Sequence, residues 1–422
     1  MGRGGCPARC GDLESGTSHP FPEASVVPVY PVRTRIRPVL AAVALSVSLT
    51  ACTAGAVGAP RDGEDAKPGG AADRPVKVSV VSPAAGRPVT VTAKDGTLTS
   101  VKVADEDGAV LAGRTAAGGA SWVSDRKAVP GASYTVEATT RGAGGKETTT
   151  RSSFTTKKAS LVNKLTLAPG KNTTVGIGQP LSIVFDRPVT NKAEVEKELR
   201  VTTSNGTVGS WGWVKDYSGR DRADWRPQVY WKPGTEVTLD ARLNGTDSGG
   251  SWFVRDYRTG FTVGDAQVVK VDLDAHRLTV EKNGRAVRTI PVSGGTPGGD
   301  KRSWRGTAVL MAKEGTINMN SETVGLGDAY DKMVDYSMRL TWSGMYAHAA
   351  PWNAAYFGRA NHSSGCIGMS TENAASFYAM VKVGDPFEIK GAETKGTVAE
   401  GNGYGAWNVS WEKWRSKSAL AG

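Results

Sequence analysis

The sequence predicts a mainly β protein, with two β-sandwiches in series followed by a β-rich third domain that carries one helix. Three observations support this. Short β-branched runs recur between clusters of Gly, Pro, Asp and Asn from residue 76 to residue 264, and an Asn283-Gly284 pair separates two alternating runs. Beyond Cys366, apolar residues fall at a helical spacing instead. A chain of 422 residues is too long for one ordinary core and suggests about three domains once any targeting segment is removed.

At the N-terminus, Arg33, Arg35 and Arg37 precede the apolar stretch Val39–Ala51, the charged-then-apolar order of a secretory signal. The stretch is too short to span a bilayer, which takes roughly 20 apolar residues. It closes on Leu49-Thr50-Ala51-Cys52, which resembles the lipobox of bacterial lipoproteins, where the cysteine becomes the lipid-bearing first residue. That resemblance implies a signal over 1–51, a membrane anchor through the Cys52 lipid, and a location on the extracytoplasmic face of the membrane within the cell wall. Residues 52–75, rich in Gly, Ala, Pro and Asp, read as a flexible tether. Residues 1–32, with Cys6 and Cys10, lack periodicity and are long for a signal n-region, so the start is expected further in.

Strand patterns at Val76–Val81, Leu98–Val103 and Ser133–Ala138 define a first immunoglobulin-like domain over 76–157. Leu181–Phe185, Val229–Trp231 and Thr235–Leu239 define a second over 158–264, with no inter-sheet disulfide. Trp211, Trp213, Trp225 and Trp231 in the second domain offer either a sugar-stacking platform or core. Aromatic clusters in sandwiches favour core. The third domain, 265–391, opens with strands at Gln267–Leu273, Arg277–Lys282 and Ala286–Val292. Ser370 is a suitable N-cap for a helix whose stripe is Ala374, Phe377, Tyr378 and Val381, ended by Gly384-Asp385-Pro386. A Trp-rich extension, 392–422, follows.

Export without residues 1–51 leaves two of the four cysteines, Cys52 and Cys366, one of them lipidated, so no disulfide framework is available. An exported protein that keeps an unpaired thiol most often uses it in catalysis. Removing 1–51 takes away five basic and three acidic side chains, which lowers the net charge from +11 to +9. Such a surface favours polyanions of the wall or membrane. Nucleic acid is disfavoured, because no arginine-rich helix or aromatic-basic interleaving is present.

The chemistry centres on Asn361-His362-Ser363-Ser364-Gly365-Cys366-Ile367-Gly368, where a cysteine lies among Gly and Ser rather than aliphatic residues. A free thiol is mostly protonated at neutral pH and needs a base. His348, at the end of a strand-like run, is the better base, and His362, four residues before the cysteine, is an auxiliary or shapes the pocket rim. The backbone N–H groups of Ser364, Gly365 and Cys366 are placed to meet an oxyanion. His348, His362 and Cys366 also amount to three zinc ligands, but no fourth appears at a usual spacing. These features describe a cysteine acyl-transferase.

Residues 265–391 resemble the catalytic domain of the L,D-transpeptidases, the YkuD family, and the two sandwiches and the Trp-rich tail resemble its multi-domain actinobacterial members. The resemblance implies Cys366 as the acylated nucleophile, His348 as its base and the Ala349 carbonyl as the group orienting the imidazole. It also implies Tyr330, Ser343, Gly344 and Gly368 at the substrate cleft, with Met319 on a flap above it. Two positions depart from the family pattern Ser/Thr-His-Gly-Cys-x-Asn, since Ser364 stands for the histidine and Gly368 for the asparagine. The implied reaction joins peptidoglycan stem peptides through a thioester into 3→3 cross-links, without a cofactor and with carbapenem β-lactams as inhibitors. A catalytically weak wall-binding scaffold and an L,D-carboxypeptidase are the alternatives.

Overall fold

The computed structural model describes residues 75–81 and 84–421. The expected signal, Cys52 and the tether up to residue 74 lie outside the described residues. Among the described residues no helix is long and apolar enough to cross a membrane.

The first sandwich is built from β1 (Lys77–Val81), β2 (Pro88–Lys94), β3 (Gly96–Asp105), β4 (Val110–Leu111), β5 (Gly113–Thr115), β6 (Ser121–Lys127), β7 (Ser133–Gly142) and β8 (Glu147–Thr155). They form two four-stranded sheets, in the orders β1-β2-β6-β5 and β4-β3-β7-β8. Alternate residues such as Val89, Val91, Val136 and Ala138 point into the shared core around Trp122 and Tyr134.

The second sandwich comprises β9 (Leu165–Ala168), β10 (Thr173–Val175), β11 (Leu181–Phe185), β12 (Leu199–Thr203), β13 (Gly209–Lys215), β14 (Asp221–Pro227), β15 (Glu236–Ala241) and β16 (Tyr257–Val263), with a short helix α1 (Lys192–Glu196). Its sheets run β10-β16-β15-β12 and β13-β14-β11-β9. All four tryptophans of the cluster are core, buried with Phe185, Phe253 and Phe261. Phe185 stacks on Trp213 at 5.4 Å and Trp225 on Trp231 at 5.3 Å.

The third domain contains β17 (Gln267–Asp272), β18 (Arg277–Lys282), β19 (Arg285–Pro291), β20 (Gly306–Val309), β21 (Ala312–Asn320), β22 (Asp331–Arg339), β23 (Tyr346–Ala349), β24 (Ile367–Met369), α2 (Thr371–Met380) and β25 (Pro386–Lys390). Asn283 and Gly284, at φ +50° and +74°, make the tight turn between β18 and β19, as the sequence pattern requires. A five-stranded sheet, β19-β18-β17-β25-β20, and a four-stranded one, β21-β22-β23-β24, share a core. Ser370 Oγ accepts from Asn373 N–H at 3.2 Å, capping α2, which buries Ala374 and Phe377.

The segment after β25 is a strap back onto the second sandwich. Trp414, on the short helix α3 (Trp411–Arg415), is fully buried, and its Nε1–H donates to the Ser210 carbonyl at 3.1 Å. A Cβ at Gly212 would sit 2.5 Å from the Trp414 ring, so only glycine lets the indole lie against β13. The Arg226 guanidinium lies 4.8 Å from the Trp407 ring, 5.1 Å from Trp414 and 5.5 Å from Trp411. Arg222, buried and paired with Asp224 at 2.9 Å, donates to the Gly403 carbonyl at 2.9 Å. The domains also meet directly, with Gly176 N–H donating to the Val383 carbonyl at 2.8 Å and Gly178 N–H to Gly384 at 2.9 Å.

Trp414→Ala deletes this buried indole and leaves a void against Gly212. Chemical denaturation is expected to show a loss of about 3–5 kcal/mol, with an intrinsic-fluorescence change that reports the second sandwich.

Candidate active site

The site is fixed by strand register. Strand β23 pairs parallel with β24, and His348 lies opposite Gly368. Cys366 is two residues before Gly368, so period-2 alternation puts its side chain on the same face as His348, one step along. Both side chains line one cavity of about 290 Å³. Its wall is completed by Met319, Tyr330, Lys332, Trp352 and His362.

His348 is 5 % exposed and Cys366 8 % exposed. The Ala349 carbonyl lies 2.7 Å from His348 Nδ1. A carbonyl can only accept, so Nδ1 carries the proton and Nε2 offers its lone pair. Burial pushes the imidazole pKa down to about 4, helped by the Lys332 charge and opposed by the Ala349 hydrogen bond. Burial pushes the Cys366 thiol up to about 11, opposed by a main-chain hydrogen bond with Tyr346. At neutral pH the resting pair is therefore a thiol and a neutral imidazole. The thiol meanwhile donates to the Gly344 carbonyl at 3.6 Å.

That carbonyl sits in a tightly held turn. Ser343 N–H donates to Asn402 Oδ1 at 2.9 Å, and Asn402 Nδ2–H returns a bond to Ser343 Oγ at 2.8 Å. Trp304 Nε1–H reaches the same hydroxyl at 3.1 Å. Gly344 has φ +88°, and a Cβ there would meet Val324 Cγ1 at 2.4 Å. The turn thus accepts the flap segment against it only as glycine.

The flap is the β21–β22 hairpin. Buried Ser321 knits its tip, accepting from Ala329 N–H at 2.8 Å and Tyr330 N–H at 2.9 Å. Tyr330 thereby lines the cavity with Cys366, and burial together with the charge of a Cys366 thiolate pushes its phenol up to about 12, so it stays a hydrogen-bond donor.

Several positions differ from the expectation. Gly365, at φ +120°, spends its N–H on Ser363 Oγ at 3.1 Å, which removes it from the oxyanion set. Among the described residues the N–H groups of Ser364 and Cys366 meet no protein acceptor. Ser343 turns its hydroxyl to Trp304 and Asn402 instead of lining the cleft. Gly368 does not face substrate either, because it is buried and a Cβ would lie 2.9 Å from Ala350 Cβ. The asparagine that the family pattern places there has no room in this chain. Met319 and Tyr330 line the cavity and also border a second hollow that contains Gly344. His362 lines the cavity with its ring stacked on Tyr356 at 4.1 Å. Lys332 and Trp352 escaped the sequence reading. The only hint was the alternation of Lys332 with Tyr330 on one strand and the place of Trp352 four residues past His348.

Two outcomes follow. Iodoacetamide labelling of Cys366 is expected to accelerate steadily from pH 7 towards pH 10, as a thiol raised to about 11 requires. A plateau from pH 6 to 8 would instead reveal a thiolate–imidazolium pair. Gly368→Asn overpacks the strand against Ala350 and is expected to cost about 1–3 kcal/mol in thermal or chemical unfolding, with slowed labelling of Cys366.

Comparison with known proteins agrees with this architecture. The bacterial Ig domain family matches residues 80–247, and the L,D-transpeptidase catalytic domain family matches residues 266–389. L,D-transpeptidase 2 of Mycobacterium tuberculosis is 33 % identical over 342 residues, covering 79 % of this chain and 81 % of that protein. L,D-transpeptidase 5 of the same organism is 32 % identical over 337 residues, covering 79 % of this chain and 73 % of that one. A solved L,D-transpeptidase in complex with imipenem aligns with 54 % of this chain and 100 % of its own, at 34 % identity and a TM-score of 0.46. With a bacterial Ig region ahead of a matching catalytic domain, and relatives aligned across most of their length, the chain belongs to the L,D-transpeptidase family.

Proposed function

We propose that this chain cross-links peptidoglycan by L,D-transpeptidation, forming 3→3 bonds through a thioester on Cys366. The observation that carries the reading is a thiol and an imidazole in one cavity, the imidazole's Nδ1 committed to the Ala349 carbonyl and its Nε2 left for the proton. In the first half-reaction Cys366 Sγ bonds to the carbonyl before the terminal D-alanine of a tetrapeptide stem while its proton passes to His348 Nε2. The tetrahedral oxyanion is met by the N–H groups of Ser364 and Cys366 and by the Tyr330 phenol. Collapse breaks the C–N bond, and His348 returns the proton to the departing D-alanine amine. In the second half-reaction a side-chain amine of a neighbouring stem attacks the thioester, gives its proton to His348, and displaces the thiolate, which His348 reprotonates.

The same thiol opens a β-lactam ring by the same addition, so carbapenems acylate it without release of a leaving group. From the Cys52 sequence we place the reaction outside the membrane, with the chain tethered by lipid. A carboxypeptidase differs only in water resolving the thioester, and a scaffold in having no thioester at all.

Incubation of the purified chain with a carbapenem is expected to add one drug mass to the wild type and none to Cys366→Ala in intact mass spectrometry. His348→Ala is expected to slow acylation by about 100-fold or more. A wild type without adduct, or an equal adduct on Cys366→Ala, removes the enzymatic reading. Disaccharide-tetrapeptide substrate separates the outcomes, since dimer identifies a transpeptidase and tripeptide alone a carboxypeptidase.

A further inference from the structure

The cavity that holds Cys366 and His348 contains one lysine and no arginine, aspartate or glutamate, and this asymmetry is unexplained by the thiol chemistry. The lysine is Lys332. Alternation along β22 puts Lys332 and Val334 on the cavity side of the strand, which Tyr330 just ahead of it also lines, with Met319 across from Lys332 on β21. Its Nζ lies 4.3 Å from the centre of the Trp352 ring, and that ring in turn stacks on His348 at 6.0 Å and 30°. The indole face thus holds the ammonium at a set place on the cavity wall. Among the described residues Lys332 has no carboxylate within ion-pair distance, although Lys270 and Lys390 on the neighbouring sheet are paired at 2.8 and 3.0 Å. Burial is the main cause of the lowered His348 pKa, and the Lys332 charge adds to it in the same direction.

A cation fixed at a reaction centre without a counter-ion suits an anionic part of the substrate. In the reaction proposed above, the bond cut is the last one of the stem, so the free carboxylate sits on the carbon next to the departing nitrogen. No other charge of the donor is tied so closely to the scissile bond. Extending the stem by one residue turns this carboxylate into a neutral amide.

We infer that Lys332, seated on Trp352, binds the C-terminal carboxylate of the donor stem and so restricts cleavage to the terminal residue. The inference rests on the transpeptidase reading. In this role Lys332 sets substrate choice, beyond the small effect of its charge on the His348 imidazole. A charge-assisted bond of this kind discriminates by about 10- to 100-fold.

The test measures acyl-enzyme formation by intact mass in single turnover with three synthetic donors, namely a tetrapeptide acid, its C-terminal amide, and a pentapeptide acid. The wild type is expected to favour the tetrapeptide acid over its amide by about 10-fold or more. In Lys332→Gln the acid-to-amide ratio is expected to fall to near unity, with the pentapeptide gaining relative to the tetrapeptide. Lys332→Arg is expected to keep the preference and Lys332→Glu to reverse it. Because each ratio is taken within one variant, a change in His348 basicity or in the folded fraction cancels. An acid-to-amide ratio that is the same in Lys332→Gln as in the wild type overturns the inference alone. A wild type that forms no Cys366 adduct with any of the three donors overturns the transpeptidase reading, and the inference with it.

Discussion

The parallel pairing of two short strands, Tyr346–Ala349 with Ile367–Met369, is the constraint on which the site depends. It brings together residues that are separated by a loop in sequence and sets imidazole and sulfur on one face, one pleat step apart. A slip of one residue would turn one of the two side chains to the opposite face. Gly368 permits this register sterically, since a Cβ there would sit 2.9 Å from Ala350 Cβ. The surrounding core of Ala347, Ile367, Met369 and Phe377 is fully buried and leaves the pair little freedom to separate.

The electrostatics follow from the same burial. A thiol raised to about 11 and an imidazole lowered to about 4 cannot exchange a proton cheaply at rest. In the proposed reaction the balance is changed by a substrate whose developing oxyanion is stabilised in place, so charge separation would arise only when there is something to attack. The arrangement guards the thiol against adventitious chemistry, because its reactive anion is rare at rest. The depressed His348 pKa also bears on stability. The native protein keeps this group neutral where the unfolded chain would protonate it, so stability falls as pH drops from about 6.5 towards about 4.

The sequence made much of this fold legible where the determinant was local. The Asn283-Gly284 turn, the Ser370 cap and the stripe of α2 are set by residues within a few positions of one another. The tryptophans of the second sandwich were readable as core because aromatic clusters in sandwiches favour the interior. The cysteine and the histidine stood out by residue type. Illegible were the features set by distant packing. That Gly365 spends its amide on Ser363, that Ser343 faces Trp304, and that Gly368 is sealed by Ala350 all depend on neighbours the sequence does not announce. Lys332 looked like any solvated lysine on an alternating run, and only the fold shows that its side of the strand faces the Cys366 cavity.

The strap after β25 was read from sequence only as an aromatic-rich tail, because its partners lie far away in the chain, Arg222 meeting Gly403 across 181 positions. It runs from β25 past Asn402 to the second sandwich, and Asn402 grips the bend that presents the Gly344 carbonyl to the sulfur. The boundary at residue 389, where similarity to the catalytic domain family stops, is therefore not a seam along which the enzyme can be divided. Cutting there strips a clasp from the reaction centre and exposes an indole socket on the neighbouring domain. These two domains are obliged to travel together.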